Sequence, residues 1–500
     1  MLSICKALFD EWNKSIRYCH WKSNEHLEDG LDGITDLDVF VLPEDKTKCE
    51  DLLRKLNLVK FKPQPSSTYP MVDEWIGFDC ETGALIHLHL HYRIITGTKF
   101  CKEYAFPIEN LIIETRIKDN DTEVYVASPE VELIVLYSRI VLKSKDYRAF
   151  DKKDFKKEVV FLKQKANEDV LLSHCKNLVG EKGGAVLFDL IKKESVSKKD
   201  YTQIKSIVKK WLSKYKNRSS FGCWLRTKYY WCVYFYGKFS DRYSNSCRIY
   251  KKTLPNSGLS ICFLGQDGSG KSTLSKDISK WLNWKIANHK FYLGSGELYR
   301  SPLKSLLSIL GRKSSKSVNN SSPRASSVSP STGQSHKKMG FKHSIGALLS
   351  SFNLCGVASS ALKKVRKSVV YTKKGGIAIF DRFPQNQFPG IYDGPKIRAL
   401  YSNVRFFKGF VLYLAKKEES KINHIQKYQP DMVFKLVLSP EESMRRKPFE
   451  NFESVKIKSE ITRKLSFPNS HVEEIDATMD YKLELLQVKH IIWGQILKLS

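Results

Sequence analysis

The sequence predicts an α/β chain in two parts, a C-terminal domain built on a parallel sheet and an N-terminal α+β domain with a helical extension. Three observations carry this. From Leu259 the apolar run LSICFLG passes directly into a glycine-rich turn and then into TLSKDISKWLNWKIA, which has helical spacing. Near the N-terminus, RYCHWKSNEHLEDGLDGITDLDVFVLPED ends in a strand pattern, DLDVFV. Between Pro129 and about Tyr250, stretches such as VELIVLYSRIVLK and DYTQIKSIVKKWLSKY recur with helical periodicity.

In chain order, residues 1–135 mix strands and helices. On DLDVFV the carboxylates of Asp36 and Asp38 point to one face, because side chains alternate along a strand. Paired carboxylates so placed suit a Mg²⁺ ion held against a triphosphate and an attacking hydroxyl. The later run ALIHLHLHYRI puts His87, His89 and His91 on a common face. Imidazole suits Zn²⁺ or Mn²⁺ better than Mg²⁺, so that face is either a transition-metal surface or, more plainly, the polar side of an amphipathic strand.

Residues 136–250 read as a basic, aromatic-rich helical region. Between Tyr201 and Lys252 thirteen Lys and Arg face a single acid, Asp241, with aromatics interleaved as in WLRTKYYWCVYFYGKF. Such a segment stacks bases and pairs phosphates in a nucleic-acid complex, lies in an anionic membrane interface, or connects domains with its aromatics forming core. The connector reading is preferred, because an aromatic-rich helix must bury a face somewhere. The net charge of +31 attracts anions in any of these cases.

After the linker KKTLPNSG, residues 259–500 form the second domain, interrupted by a Ser/Lys/Pro-rich insertion at about 312–340 that is too polar to fold and is expected to be a disordered loop. The spacing Gly265-x-x-x-x-Gly270-Lys271-Ser272 fits the P-loop pattern, in which glycines let backbone N–H groups converge on phosphate oxygens. ATP and Mg²⁺ are the expected cofactors. Gly265, Asp267, Gly268, Ser269, Gly270, Lys271, Ser272 and Thr273 form the nucleotide-binding set, with Lys271 on the β- and γ-phosphates and Ser272 on Mg²⁺. Downstream, GGIAIFDRFPQ places Asp381 and Arg382 at the carboxyl end of a buried strand. Asp381 there serves the metal or the reacting group, and Arg382 offers a bidentate fork to an acceptor phosphate. QPDMVFKLVLSPEESMRRK then supplies Arg445, Arg446 and Lys447 as a basic lid.

These motifs give two family resemblances. GQDGSGKST, the triplet Asp381 to Phe383, and Pro430-Asp431 leading into MVFKLVL occur in the order of the thymidylate kinase family, which the chain resembles from about Leu259 to Ser500. The resemblance implies a P-loop kinase moving the ATP γ-phosphoryl to a nucleoside monophosphate, dTMP first, with Asp267 near the acceptor ribose. The chain departs from the family in YLGSGELYRSP from Tyr292 to Pro302, in QNQFPGIYDGPKI, and in lacking an Arg-x-x-x-Arg lid. A sugar, a lipid-linked intermediate or another small hydroxyl compound is the alternative acceptor, and a nucleic-acid-binding regulatory ATPase the alternative class. The N-terminal segment resembles the nucleotidyltransferase superfamily, with Ser23 and Asn24 at the turn before Asp36 and Asp38. Lys22-Ser23-Asn24 stands where that superfamily has glycine and serine, and the third carboxylate is not evident.

A chain of 500 residues forms two or three domains. No apolar run is expected to reach the roughly 18 residues of a membrane span, and MLSICKALFDEWNK turns acidic too soon for a signal peptide. Eleven scattered Cys without CxxC pairs point to reduced thiols and a cytoplasmic location.

Overall fold

The computed structural model describes residues 1–244, 248–294, 341–449 and 451–500. The chain divides into one unit of Met1–Pro255 with Trp493–Ser500 and a second of Asn256–Ile492. The expected insertion at about 312–340 lies outside the described residues, as does most of the Tyr292 to Pro302 segment.

The first unit contains β1 (Tyr18–His20), β2 (Leu37–Val41), β3 (Val59–Phe61), β4 (Val72–Phe78), β5 (Leu85–His91), β6 (Ile95–Thr96), β7 (Tyr104–Ala105), β8 (Ile117–Lys118) and β9 (Tyr125–Val126). Seven of them form one mixed sheet in the order β3-β4-β5-β2-β1-β9-β8, with β2 parallel to β5 and β4 antiparallel to it. Alternation sends Tyr18, Val39 and Val41 into a core with the helix Ser3–Ser15, and sends Cys19 and Phe40 into a second core built with the helices. The expected boundary at 135 falls inside the helix Pro129–Lys143, which is buried from Glu130 to Leu142. Its core continues through Leu162, Leu187 and Ile204 to Leu212, so the α+β part and its helical extension share one interior.

The connector reading of the basic aromatic segment does not describe the helix Ser220–Ser244. Phe221, Trp224, Tyr229, Phe235 and Tyr236 on it are between 56% and 71% exposed, so these rings form surface and not core. The helix is anchored at its start and along one side. Cys223 is bridged to Cys101, the Arg226 Nε donates to the Phe100 carbonyl at 2.6 Å, and the Tyr230 hydroxyl donates to the Pro65 carbonyl at 2.9 Å. The bridge also corrects the expectation of uniformly reduced thiols: two cysteines far apart in sequence meet at a Cα separation of 5.7 Å, which a spacing argument cannot foresee.

The second unit contains β10 (Ser260–Gly265), β11 (Asn288–Tyr292), β12 (Ile377–Asp381), β13 (Met432–Val437) and β14 (His471–Asp476). They form a five-stranded, all-parallel sheet in the order β11-β12-β10-β13-β14, as the fold-class expectation requires. The P-loop strand β10 is central and buried from Ile261 to Gly265, flanked by β12 on one side and β13 on the other. That is where connections diverge to the two sides of a doubly wound sheet and leave a crevice at the strands' carboxyl ends.

The expectation that no apolar run approaches a membrane span is corrected by the helix Phe341–Lys373. Its stretch Ser344–Lys373 is long and apolar enough to cross a bilayer by length and composition. Interspersed Ser, Asn and Gly hide this in a search for Leu-rich runs. Its Cys355 packs with Val411, Leu414 and Ala415 of the helix Lys408–Ile425.

Candidate active site

The P-loop joins β10 to the helix Lys271–Leu282, whose N-cap Gly270 adopts a left-handed φ of 85°. Gly268 has φ 89°, also open to glycine and strained for other residues. Gly265 is needed for closeness: a Cβ there would lie 2.4 Å from Ser269 Oγ and 2.9 Å from the Leu436 carbonyl oxygen of β13. Lys271 is 6% exposed and its ammonium donates to the Gln266 carbonyl at 2.7 Å, across the space the loop encloses. Burial, reinforced by Arg382, brings its pKa down to about 8.

Asp381 ends β12 and faces this loop. The Ser272 hydroxyl donates to its Oδ2 at 3.0 Å, and Lys290 of β11 lies 3.4 Å from the same oxygen. Its Oδ1 is buried with no hydrogen-bond partner among the described residues. A hydroxyl, a carboxylate and one unused carboxylate oxygen at a helix N-terminus form a donor set that fits a hydrated Mg²⁺. Ser272 and Thr273 are exposed at the start of the helix.

Asp267 organises the other side of the loop. Its carboxylate accepts from Arg382 at 3.0 Å and from Lys458 at 2.7 Å, and its carbonyl accepts from the Ser443 hydroxyl at 2.6 Å. Burial favours its neutral form, but Lys458, Lys271 and Arg382 together hold its carboxyl well below the usual carboxylate range. Arg382, with a left-handed φ of 70°, reaches Asp393 as well, at 3.5 Å. Its guanidinium therefore links two carboxylates in place of the free fork expected for an acceptor. The Tyr392 oxygen accepts from the Gly265 N–H at 2.7 Å, so the departing segment QNQFPGIYDGPKI is stitched to the loop.

Two of the three expected lid residues stand apart from this network. Arg445 and Arg446, in the helix Pro440–Arg446, both pair with Glu442 of their own helix, and Arg446 also donates to the Ala477 carbonyl at 3.0 Å. The basic side chain that joins Arg382 on the loop is Lys458, in the helix Phe452–Lys464, and Lys447 lies near enough to Lys271 to help lower its pKa. Lys458, Tyr392 and Asp393 were not singled out from the sequence. Only the charge of Lys458 hinted at a role, and its partner lies 191 residues away.

A second polar cluster lies in the first unit. The register of β2, β5 and β4 sets Asp38, His89 and Glu74 in one row across three strands. His89 Nδ1 is 2.9 Å from Asp38 Oδ1, and His89 Nε2 is 3.5 Å from Glu74 Oε1. His87 joins Glu74 at 2.6 Å through Nε2 and Asp36 at 2.8 Å through Nδ1. Asp36 and Asp38 thus take separate histidine partners. Lys22 pairs with the other oxygen of Asp38, and Asn24 Nδ2 donates to Glu132 at 2.6 Å, so the turn Lys22-Ser23-Asn24 does sit beside the pair. The histidines do share one face of β5, and that face is turned away from water, since His87 and His91 are 2% and 1% exposed. Glu74, which the sequence analysis did not single out, is the carboxylate that His87 and His89 share.

No protein-family model matches the chain. The chain is similar to the uncharacterized ATP-binding protein YghR of Escherichia coli (strain K12), at 27% identity over 241 residues, covering 46% of this chain and 86% of that protein. It is similar also to the uncharacterized ATP-binding protein YghS of the same strain, at 25% identity over 217 residues, covering 43% and 84%. Among solved structures, the deoxyadenosine kinase of M. mycoides with bound dATP shares 16% identity at a TM-score of 0.26, covering 47% of this chain and 98% of that one. Its dCTP complex shares 17% identity at a TM-score of 0.24, covering 47% and 100%.

The close approach at Gly265 generates a direct test. Gly265→Ala forces the loop away from Leu436 and Ser269 and is expected to destabilise the second unit by about 1–3 kcal/mol. Chemical denaturation checks it; an unchanged unfolding curve means that the loop yields freely.

Proposed function

We propose that the second unit is an ATP-dependent phosphotransferase that moves a γ-phosphoryl group to a nucleoside monophosphate, dTMP first, or to a related small acceptor. The observation that carries the reading is the buried Lys271 ammonium at the mouth of a P-loop, facing a strand-end carboxylate through Ser272. The similarity to two proteins described as ATP-binding supports the choice of nucleotide. The acceptor follows from the order of motifs alone.

In this reading the loop N–H groups and Lys271 bind phosphate, and Lys271 exchanges its bond to the Gln266 carbonyl for phosphate oxygens. Ser272 and Asp381 hold Mg²⁺, which when bound neutralises phosphate charge. Asp267 and Arg382 orient the acceptor side, and Arg445 and Arg446 leave Glu442 to cover the phosphates. Positioning and electrostatic stabilisation supply the rate enhancement. Labelled ATP offered with a panel of nucleoside monophosphates and sugars tests the assignment, and product labelling that requires no acceptor contradicts it.

The helix Ser220–Ser244 supports a second element of the proposal, an anionic membrane surface as partner. Its exposed Phe, Trp and Tyr are accompanied by the exposed Arg218 and Lys228, a composition suited to a headgroup layer. Nucleic acid is the competing partner for the same surface. A cytoplasmic location belongs to this reading because ATP is the donor; the Cys101–Cys223 bridge stands against it.

Three outcomes are expected. Lys271→Ala lowers turnover at saturating ATP by about 100- to 1,000-fold while the fold persists; equal turnover removes Lys271 from the chemistry. Next, ATP affinity depends on pH. Phosphate beside Lys271 raises its pKa from about 8, so below that value the free protein is already charged and affinity is flat. Above it, binding must take up a proton and affinity falls by about tenfold per pH unit. Calorimetry in buffers of different ionisation enthalpy reads that uptake, and a pH-independent affinity contradicts it. Finally, the full chain co-sediments with vesicles containing anionic phospholipid and releases them on raising salt, and Phe221→Ser/Trp224→Ser weakens the binding. Retention of single-stranded nucleic acid with no vesicle binding assigns the surface to the other partner.

A further inference from the structure

We infer that Asp38, His89 and His91 form a site for a borderline divalent transition ion of the Zn²⁺ class, separate from the P-loop and independent of the phosphotransferase reading. Asp38 Oδ1, His89 Nδ1 and His91 Nε2 converge on one point. Their separations are 2.9 Å from Asp38 to His89, 3.4 Å from His89 to His91, and 3.6 Å from His91 to Asp38. In a tetrahedral site with bonds of about 2.0–2.1 Å, ligand atoms stand about 3.3 Å apart, so the triangle already has the size an ion requires. Two imidazoles and one carboxylate select such an ion over Mg²⁺, which prefers an all-oxygen shell.

The surroundings supply an independent observation. A metal-binding histidine characteristically turns its second ring nitrogen toward a carboxylate, which fixes the tautomer and strengthens the donor. His89 Nε2 does this toward Glu74 Oε1 at 3.5 Å, and Glu74 is itself held by His87 at 2.6 Å, which reaches Asp36 at 2.8 Å. The second oxygen of Asp38 is held by Lys22, which leaves Oδ1 for the ion. Trp21 stands against the His91 ring, with centroids 5.1 Å apart, and fixes its plane. Three protein ligands leave a fourth position for water or an anionic oxygen of a substrate. Glu74 thus acts as a positioning residue, one step removed from the ion, with His87 and then Asp36 behind it.

The test uses the full chain, stripped with chelator and kept non-reducing so that Cys101 and Cys223 stay bridged and offer no thiolate ligands. Titration with Zn²⁺ against a chromophoric competitor is expected to give one tight site, and Co²⁺ in its place is expected to give the intense visible bands of a tetrahedral N/O environment. His89→Ala and the nearly isosteric Asp38→Asn each abolish the site, while Glu74→Gln weakens it by about 10- to 100-fold. Zn²⁺ raises the melting temperature of the wild type and leaves that of Asp38→Asn unchanged. If His89→Ala does not fold, Asp38→Asn decides. No tight binding by the wild type, or equal binding by wild type and Asp38→Asn, overturns the inference.

Discussion

The buried positive charge of Lys271 governs the second unit. The Lys271 ammonium sits where the P-loop closes, away from water, and a charge so placed must be compensated by its surroundings. Here the compensation is the Gln266 carbonyl together with the fields of Asp267 and Asp381. Those carboxylates need counter-charges in turn, which explains why Lys290, Arg382 and Lys458 crowd the same sheet edge. The network is therefore preformed around an anion-seeking group, and little side-chain rearrangement is needed when phosphate replaces the carbonyl as its partner.

The first unit solves the opposite problem, carboxylates and imidazoles placed under a helical layer. Asp38 shares its face of β2 with Phe40, which packs into the core built around the helix Pro129–Lys143. A row of acids and histidines on that face is tolerable only if each is paired, and the register supplies the pairs: Asp38 opposite His89, His89 opposite Glu74. A one-residue slip of β5 against its neighbours would turn the histidines to the other side and strand both carboxylates. The same register brings two ring nitrogens and an oxygen to one point.

What could be read from the sequence divides by range. The P-loop is legible because its strand, glycines, lysine and helix start fall within a few residues, and the backbone alone dictates its shape. Asp381 and Arg382 are legible from the short strand before them, and the histidine face from alternation. The partners are not. Glu74 lies in VDEWIGF beside Asp73, and nothing local tells which of the two adjacent acids faces the histidines until β4 is set against β5. Lys458, Asp393 and Tyr392 become visible only when chain segments far apart close around Asp267 and Gly265. The surface position of the aromatic helix Ser220–Ser244 is not legible for a related reason: burying one face is the usual fate of aromatics, and nothing local announces the exception.

Two tiers of ionic contact surround the P-loop, and their difference bears on how the site can move. Asp267 is held from two helices and a strand end, by Lys458, by Ser443 and by Arg382, in partly buried contacts of 2.6 to 3.0 Å. Breaking any of these leaves a shielded charge or carbonyl uncompensated, so they fix the loop. Arg445 and Arg446 instead pair with Glu442 within one exposed helical turn, where water substitutes readily for either partner. Such pairs are easily exchanged for another anion, phosphate included. The helix that carries them is nevertheless seated on the loop, because its Ser443 hydroxyl donates to the Asp267 carbonyl beside Gly268. The attachment at Ser443 holds this short helix in place, so the proposed lid role of Arg445 and Arg446 asks for a change of side-chain partners, including the Ala477 carbonyl for Arg446, and not for a movement of the helix.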